Sequence, residues 1–167
     1  GYICTSPFPY DGIFRRAVLN FKFHNCGAYA ELLSHEMVRS IKDVYRDREF
    51  DLVTCVPMHK DTLRKRGYNQ AELLAKECAR ILGIEYADLL AKTKKNKTQH
   101  SIKAAERAKN VIGVYSPIDK NLIKGKRILI IDDIITTGST LGECARILNK
   151  CKCGEICCCT LCTSLLI

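Results

Sequence analysis

Ile128-Leu129-Ile130-Ile131-Asp132-Asp133-Ile134-Ile135-Thr136-Thr137-Gly138-Ser139-Thr140 is the stretch from which the chain is read. Four apolar residues in a row predict a strand buried on both faces, as in a parallel sheet. Two adjacent carboxylates fall where that strand should end. A short loop of Thr, Thr, Gly, Ser and Thr follows. It leads into an amphipathic helix with Leu141, Cys144, Ala145 and Leu148 on one face. In an open α/β sheet, ligands bind at the carboxyl ends of the strands. Loop amides and hydroxyls ahead of a helix form an anion site. Carboxylates accept hydrogen bonds from vicinal hydroxyls or hold Mg²⁺. Acids and anion cradle on one strand-loop-helix suit a sugar phosphate.

The flanking segments alternate in the same way. Leu52 to Val56 reads as a strand that stops at Pro57, which has no N–H for a ladder. Met58-His59-Lys60 forms a loop. A helix is expected over 68–82, with Ala71, Leu74, Ala75, Cys78 and Leu82 inward and Gly83 as its C-terminal cap. Residues 85–91 predict a short strand with Leu89 and Leu90 buried. The stretch 92–100 is polar, basic and without period, as in a loop. A short helix over 102–109, a strand over 111–115 and a connection over 117–124 lead to the opening stretch. The Cys-rich run 156–162 then closes the sheet.

Before all this, residues 1–10 carry Pro7 and Pro9 and read as irregular. Asp11-Gly12 opens a helix that runs to about Phe23, and after Gly27 a second runs to about Arg46. Phe14, Ala17, Val18 and Phe21 face inward on the first, Ala30, Leu33, Met37, Ile41 and Val44 on the second. The pattern predicts an α/β fold: a parallel sheet of about five strands flanked by helices. Residues 1–167 form one domain, with 1–50 a helical hood or flank and 51–167 the α/β core. The ligand crevice is expected above Val56, Leu90 and Asp132-Asp133.

Composition sets the outer limits. An apolar fraction of 47% over 167 residues supports one core and excludes a disordered chain. No apolar run approaches the roughly 20 residues that span a bilayer, and no signal-peptide pattern opens the chain, so membrane insertion is not expected. The start at Gly1 rather than Met is read as a trimmed N-terminus. A net charge of +9 favours anionic partners. It concentrates at Arg64-Lys65-Arg66 and at Lys92, Lys94, Lys95 and Lys97; a solvated face is the plain alternative for the second cluster. Eleven cysteines raise disulfides or zinc. In the run 156–162, however, Cys reads as a small apolar residue of a buried strand. Neighbouring cysteines there point to opposite faces and share a metal poorly, and the Cys159/Cys162 CxxC is weak alone. Retained thiols imply a reducing, cytoplasmic setting.

At Asp132-Asp133 and 136–140 the chain resembles the phosphoribosyl pyrophosphate (PRPP) motif of type I phosphoribosyltransferases. Two further stretches resemble the ComF group of that superfamily. One is Val56-Pro57-Met58-His59 with Leu63 through Ala75, of which Arg66-Gly67-Tyr68-Asn69-Gln70 is the most distinctive piece. The other is Lys97 to Ser101, continuing through Glu106-Arg107 to Asn110-Val111. Tyr10-Asp11-Gly12 to Arg16, with Lys22-Phe23, fits as well. Members often carry an upstream zinc ribbon, which this chain lacks.

The resemblance implies a type I phosphoribosyltransferase-like fold and a division of labour. Asp132 and Asp133 hold the ribose hydroxyls, as the catalytic pair. Thr136, Thr137, Gly138, Ser139 and Thr140 wrap the 5-phosphate. Met58 and His59 offer backbone amides to the diphosphate, and Arg64 and Arg66 reach it; surface charge or DNA contact is the alternative for both arginines. Residues 92–110 form the closing loop, with Gln99, His100 and Arg107 as its candidates. Mg²⁺ comes with PRPP near Asp132 and Asp133, without a direct protein cage. Tyr68 and Asn69 cap and orient the next helix. Tyr10, Phe14 and Phe21 read as core, so no base-reading residue is named.

The implied function is pentosyl transfer from PRPP to an amine or nucleobase acceptor, with release of diphosphate and a link to natural competence. The alternative is a non-catalytic PRPP- or nucleotide-binding accessory protein of DNA uptake, contacting single-stranded DNA or a competence helicase. A PRPP synthetase would share the motif but need a second, nucleotide-binding domain. The oligomeric state, a homodimer included, stays open.

Overall fold

A computed structural model describes residues 2–23, 27–94 and 110–165. Its centre is β7 (Arg127–Ile135). Ile128, Leu129, Ile130 and Ile131 on it are all 0% exposed, as the apolar run requires. On one side β7 pairs with β3 (Leu52–Cys55), which pairs with β4 (Glu85–Tyr86). On the other it pairs with β8 (Glu155–Thr163). Beyond β8 lie β1 (Ile3–Thr5) and β2 (Phe8–Pro9). The order is β1-β8-β7-β3-β4, with β2 also on β8, and every pair is parallel.

Side chains alternate between two layers, as the pleat dictates. Val53, Leu129, Ile131, Cys157 and Cys159 face α1 (Gly12–Phe23), α2 (Gly27–Val44) and α4 (Gln70–Leu82). Leu52, Ile128, Ile130, Ile156 and Cys158 face α6 (Ser139–Lys150). The expected splitting of neighbouring cysteines between faces is therefore observed. All described cysteines are free thiols, and among the described residues no three His, Cys, Asp or Glu side chains converge on a metal position. Phe21 is core, and Tyr10 and Phe14 pack against it. No helix among the described residues is long and apolar enough to cross a membrane.

The structure corrects several expectations. The segment expected to be irregular instead holds two short strands, since β1 and β2 cover the outer edge of β8. Pro9 is tolerated there because an edge strand can lack a donor. The Cys-rich strand is consequently interior and does not close the sheet. Tyr45 reinforces this seam, its hydroxyl shared between the carbonyls of Ile3 (3.0 Å) and Cys158 (2.8 Å).

The expected strand 85–91 is two elements. Its second half, β5 (Leu90–Lys92), leaves the main sheet and pairs antiparallel with β6 (Tyr115–Pro117). Leu90 therefore marks a separate ribbon and no strand end of the main sheet. The strand expected over 111–115 starts late, since Gly113 at φ +75° makes a turn first. Lys60, expected in the loop with Met58 and His59, instead starts a short helix, α3 (Lys60–Arg66), for which no element was expected. A short helix, α5 (Lys120–Ile123), interrupts the 117–124 connection and buries Ile123. β7 also runs past the acid pair to Ile135, because β8 continues beside it to Thr163. The helix expected over 102–109 lies outside the described residues.

Candidate functional site

The acid pair sits inside the β7–β8 ladder, Asp132 opposite Thr160. Each carboxylate takes a nearby backbone donor. The Asp133 N–H donates to Asp132 Oδ1 at 2.9 Å, and the Ile134 N–H to Asp133 Oδ1 at 2.8 Å. The second oxygen of Asp133 accepts from Gln70 Nε2 at 2.8 Å. Gln70 Oε1 in turn accepts from Arg66 Nη1 at 2.8 Å. Burial, and after it the charge of Asp133, push the Asp132 carboxyl well above the usual range.

Lys92 counters part of that push. It reaches the site from β5, half-buried, with Nζ 5.6 Å from the Tyr115 ring centre. Desolvation lowers its pKa, and the negative charge of Asp132 acts in the opposite sense. The facing strand β6 brings Tyr115, whose side chain bonds that of Thr140. The β5–β6 ribbon thus lies against both the acid pair and the loop after it.

That loop turns on Gly138, which adopts φ +74° and caps α6 without a side chain. Thr137 and Ser139 pair their hydroxyls at 2.8 Å, and the Ser139 N–H donates to Thr137 Oγ1 at 3.3 Å. The Gly138 carbonyl accepts the Tyr2 hydroxyl at 2.9 Å and the Gly142 N–H at 2.8 Å. Together 134–141 and Asp132 enclose a small hollow of about 30 Å³. An uncapped helix start behind a hydroxyl-rich loop is a favourable setting for phosphate.

The β3–α4 connection makes the other wall. His59 caps α3, its Nδ1 accepting the Asp61 N–H at 3.2 Å, and Gly67 ends that helix at φ +88°. The Tyr68 hydroxyl donates to the Phe21 carbonyl. Asn69 caps α4 through the Ala71 N–H at 3.1 Å, and its amide donates to the Val56 carbonyl at 3.1 Å. It fastens the start of α4 to the end of β3. Asn69→Ala is expected to destabilise the fold by about 2–4 kcal/mol, since a cap is lost and a buried carbonyl orphaned. Urea unfolding would measure it, and a change under about 0.5 kcal/mol would contradict the bridging role. Pro57, Met58, His59, Lys60, Asn69 and Lys92 are among the residues lining a cavity of about 520 Å³ beside this connection.

Of the residues singled out in the sequence, Asp132, Asp133 and 136–140 come together on one strand-loop-helix. Arg66 joins them through Gln70. Met58 and His59 line the neighbouring cavity with Lys92, while Arg64 is exposed on α3. Gln99, His100 and Arg107 lie outside the described residues. Three contributors went unassigned in the sequence: Gln70, Lys92 and Tyr2. Gln70 belongs to the distinctive Arg-Gly-Tyr-Asn-Gln segment, so a signal existed. Lys92, expected at the start of the basic closing loop 92–110, lies instead on β5. Tyr2 carries no signal, since its partner is 136 residues away.

The chain matches the Phosphoribosyl transferase domain over residues 69–165, more than half its length, and belongs to that family. Competence protein F of Haemophilus influenzae is 31% identical over 144 residues, covering 83% of this chain and 63% of that protein. Competence protein ComFC of Bacillus subtilis is 30% identical over 152 residues, 90% of this chain and 60% of the relative. DNA utilization protein YhgH of Escherichia coli is 30% identical over 101 residues, 60% of this chain and 44% of YhgH. The chain thus spans less than two thirds of each. Among solved structures, the glutamine PRPP amidotransferase of Bacillus subtilis superposes with a TM-score of 0.56 at 18% identity, covering 84% of this chain and 30% of the enzyme. The PRPP synthetase of Mycobacterium smegmatis gives 0.50 at 17%, covering 80% and 34%. The fold is that of type I phosphoribosyltransferases, a mostly parallel sheet flanked by helices. The protein is phosphoribosyltransferase-like, with competence and DNA-utilization proteins as homologues.

Proposed function

We propose that this protein binds PRPP and transfers its phosphoribosyl group to an amine or nucleobase, releasing diphosphate. The observation that carries this reading is the acid pair joined to a hydroxyl-rich, uncapped loop on one strand-loop-helix. Asp132 and Asp133 accept hydrogen bonds from the ribose hydroxyls. Residues 136–140 hold the 5-phosphate through amides and hydroxyls and so fix the anomeric carbon. Backbone amides at Met58 and His59, with Arg64 and Arg66, face the diphosphate, for which guanidinium forks are well shaped.

The carboxylates and hydroxyls form an all-oxygen donor set that fits Mg²⁺. Because the described residues build no closed cage, the ion would arrive with PRPP and keep part of its water shell near Asp132 and Asp133. Bound there, Mg²⁺ would neutralise charge developing on the departing diphosphate. The chain's own contribution is positioning and preorganised charge.

A second reading is supported by the +9 charge and by the names of the relatives: a non-catalytic PRPP- or nucleotide-binding accessory of DNA uptake that contacts single-stranded DNA or a helicase. The free thiols fit a cytoplasmic setting. Calorimetric titration with PRPP and Mg²⁺ tests the PRPP premise. Saturable binding is expected, and absence of binding at millimolar PRPP would sink the transferase reading and turn the search to nucleotides and single-stranded DNA. Diphosphate release on adding ammonia or purine bases then separates the two.

A further inference from the structure

We infer that Gln70 is a positioning residue for Asp133, and that it relays the charge of Arg66 to the acid pair. The inference rests on the PRPP reading of this site and deepens it. Gln70 is 7% exposed, a buried amide at the first position of α4. Both ends of that amide are engaged at 2.8 Å, Nε2 with Asp133 Oδ2 and Oε1 with Arg66 Nη1. The orientation is chemically forced. A guanidinium only donates and a carboxylate only accepts, so the flipped amide would set donor against donor and acceptor against acceptor.

The interposed amide solves a specific problem. An arginine placed directly on Asp133 would form a two-pronged pair and occupy both carboxylate oxygens. A ribose hydroxyl would then compete with a guanidinium. The amide takes one lone pair of Oδ2, and the Ile134 N–H takes one of Oδ1. Of the roughly four acceptor directions of a carboxylate, about half stay available while the side chain is held from both ends. The charge of Arg66 still polarises the amide and strengthens its donation.

The anchor is stiff. Asn69, immediately before Gln70, is bonded to the Val56 carbonyl and to the α4 backbone. Gly67 and Tyr68 fix the turn between Arg66 and Asn69. The segment Arg66-Gly67-Tyr68-Asn69-Gln70 therefore links the arginine-bearing helix α3, on the diphosphate side, to the acid pair on the ribose side.

The test is a double-mutant cycle read by binding of Mg²⁺–PRPP. Gln70→Met keeps length and shape but cannot donate. It should weaken PRPP about 10- to 100-fold, the worth of one hydrogen bond to a charged group. In an Asp133→Asn background the same change should cost less than about twofold, since there is no carboxylate left to position. Arg66→Met should weaken binding in the parent and cost measurably less beside Gln70→Met, where only its hold on the diphosphate is left to lose. Gln70→Glu, which retains shape but opposes Asp133 with charge, should be as weak as Gln70→Met and guards against a fold defect in the latter. Thermal melts of each variant accompany the titrations. Unchanged PRPP affinity in both Gln70 variants overturns the positioning role while leaving the PRPP reading intact. So does full additivity with Asp133→Asn. Failure of the parent protein to bind PRPP removes the reading itself, and this inference with it.

Discussion

Asp132→Asn is expected to weaken PRPP binding by about 100-fold or more and to raise stability. The two effects share one cause. The Asp132 carboxyl is desolvated and lies beside the charge of Asp133, so its ionised form is disfavoured in the folded chain. Its folded pKa lies above the unfolded value of 3.8, so the native state holds a proton that the unfolded state has released. By linkage, the native state loses stability as pH rises from about 4. Asparagine cannot carry that charge and avoids the penalty. The gain should appear as a higher Tm at pH 7 and should vanish toward pH 4. Asp51 works in the opposite sense. Hydrogen bonds from Arg127 hold its carboxyl below the usual range, so its contribution is lost as pH falls.

Binding moves the other way. Ribose hydroxyls donate to a carboxylate more strongly than to an amide oxygen, and two charge-assisted bonds are at stake. Asp132→Asn and Asp133→Asn should each weaken PRPP by about 100-fold or more. Calorimetry and a pH series of thermal melts measure the two sides. An Asp132→Asn protein that is less stable than the parent at pH 7, or that binds PRPP equally well, would contradict this account.

The second large effect is expected at Gly138. Its backbone sits at φ +74°, and an added Cβ would meet the Tyr2 hydroxyl at 2.9 Å. That hydroxyl can retreat only by giving up its bond to the Gly138 carbonyl. Gly138→Val combines a β-branched residue in the left-handed region with this collision. A loss of about 2–4 kcal/mol is expected, with binding of the 5-phosphate gone because the loop amides shift. Gly138→Ala should fall between Val and the parent. Adding Tyr2→Phe should restore part of the deficit by removing the closest oxygen. Chemical denaturation and titration with ribose 5-phosphate follow both quantities. Parent-like behaviour of Gly138→Ala on both would refute the steric argument.

What the sequence disclosed depends on how local the determining physics is. β7, β8, α4 and α6 carry their own apolar periods and caps, and the acid pair and its loop are contiguous, so both could be read directly. α3 was invisible because it buries no residue and so has no apolar period to show. β1 and β2 are two or three residues long and exist as strands only because β8 offers an edge. The split of 85–91 follows from β5 finding β6, a pairing no local pattern encodes. Gln70 stands in the distinctive Arg-Gly-Tyr-Asn-Gln segment, but the meaning of a buried amide is set by the two groups it meets, which no local pattern shows.

The seam between β1–β2 and β8 has a consequence for how the molecule assembles. Ser6 and Thr160, whose hydroxyls meet across it, are 154 residues apart in the chain. During synthesis the N-terminal strands emerge early and have no partner until β8 follows. Until then the edge they will occupy does not exist, and afterwards β8 is an unblocked apolar edge until they dock. Parallel pairing at such separation closes slowly, because the loop entropy is met before the contacts form. Refolding from denaturant should therefore end in a slow docking step, with the burial of Cys157, Cys158 and Cys159 from thiol reagents as its late marker.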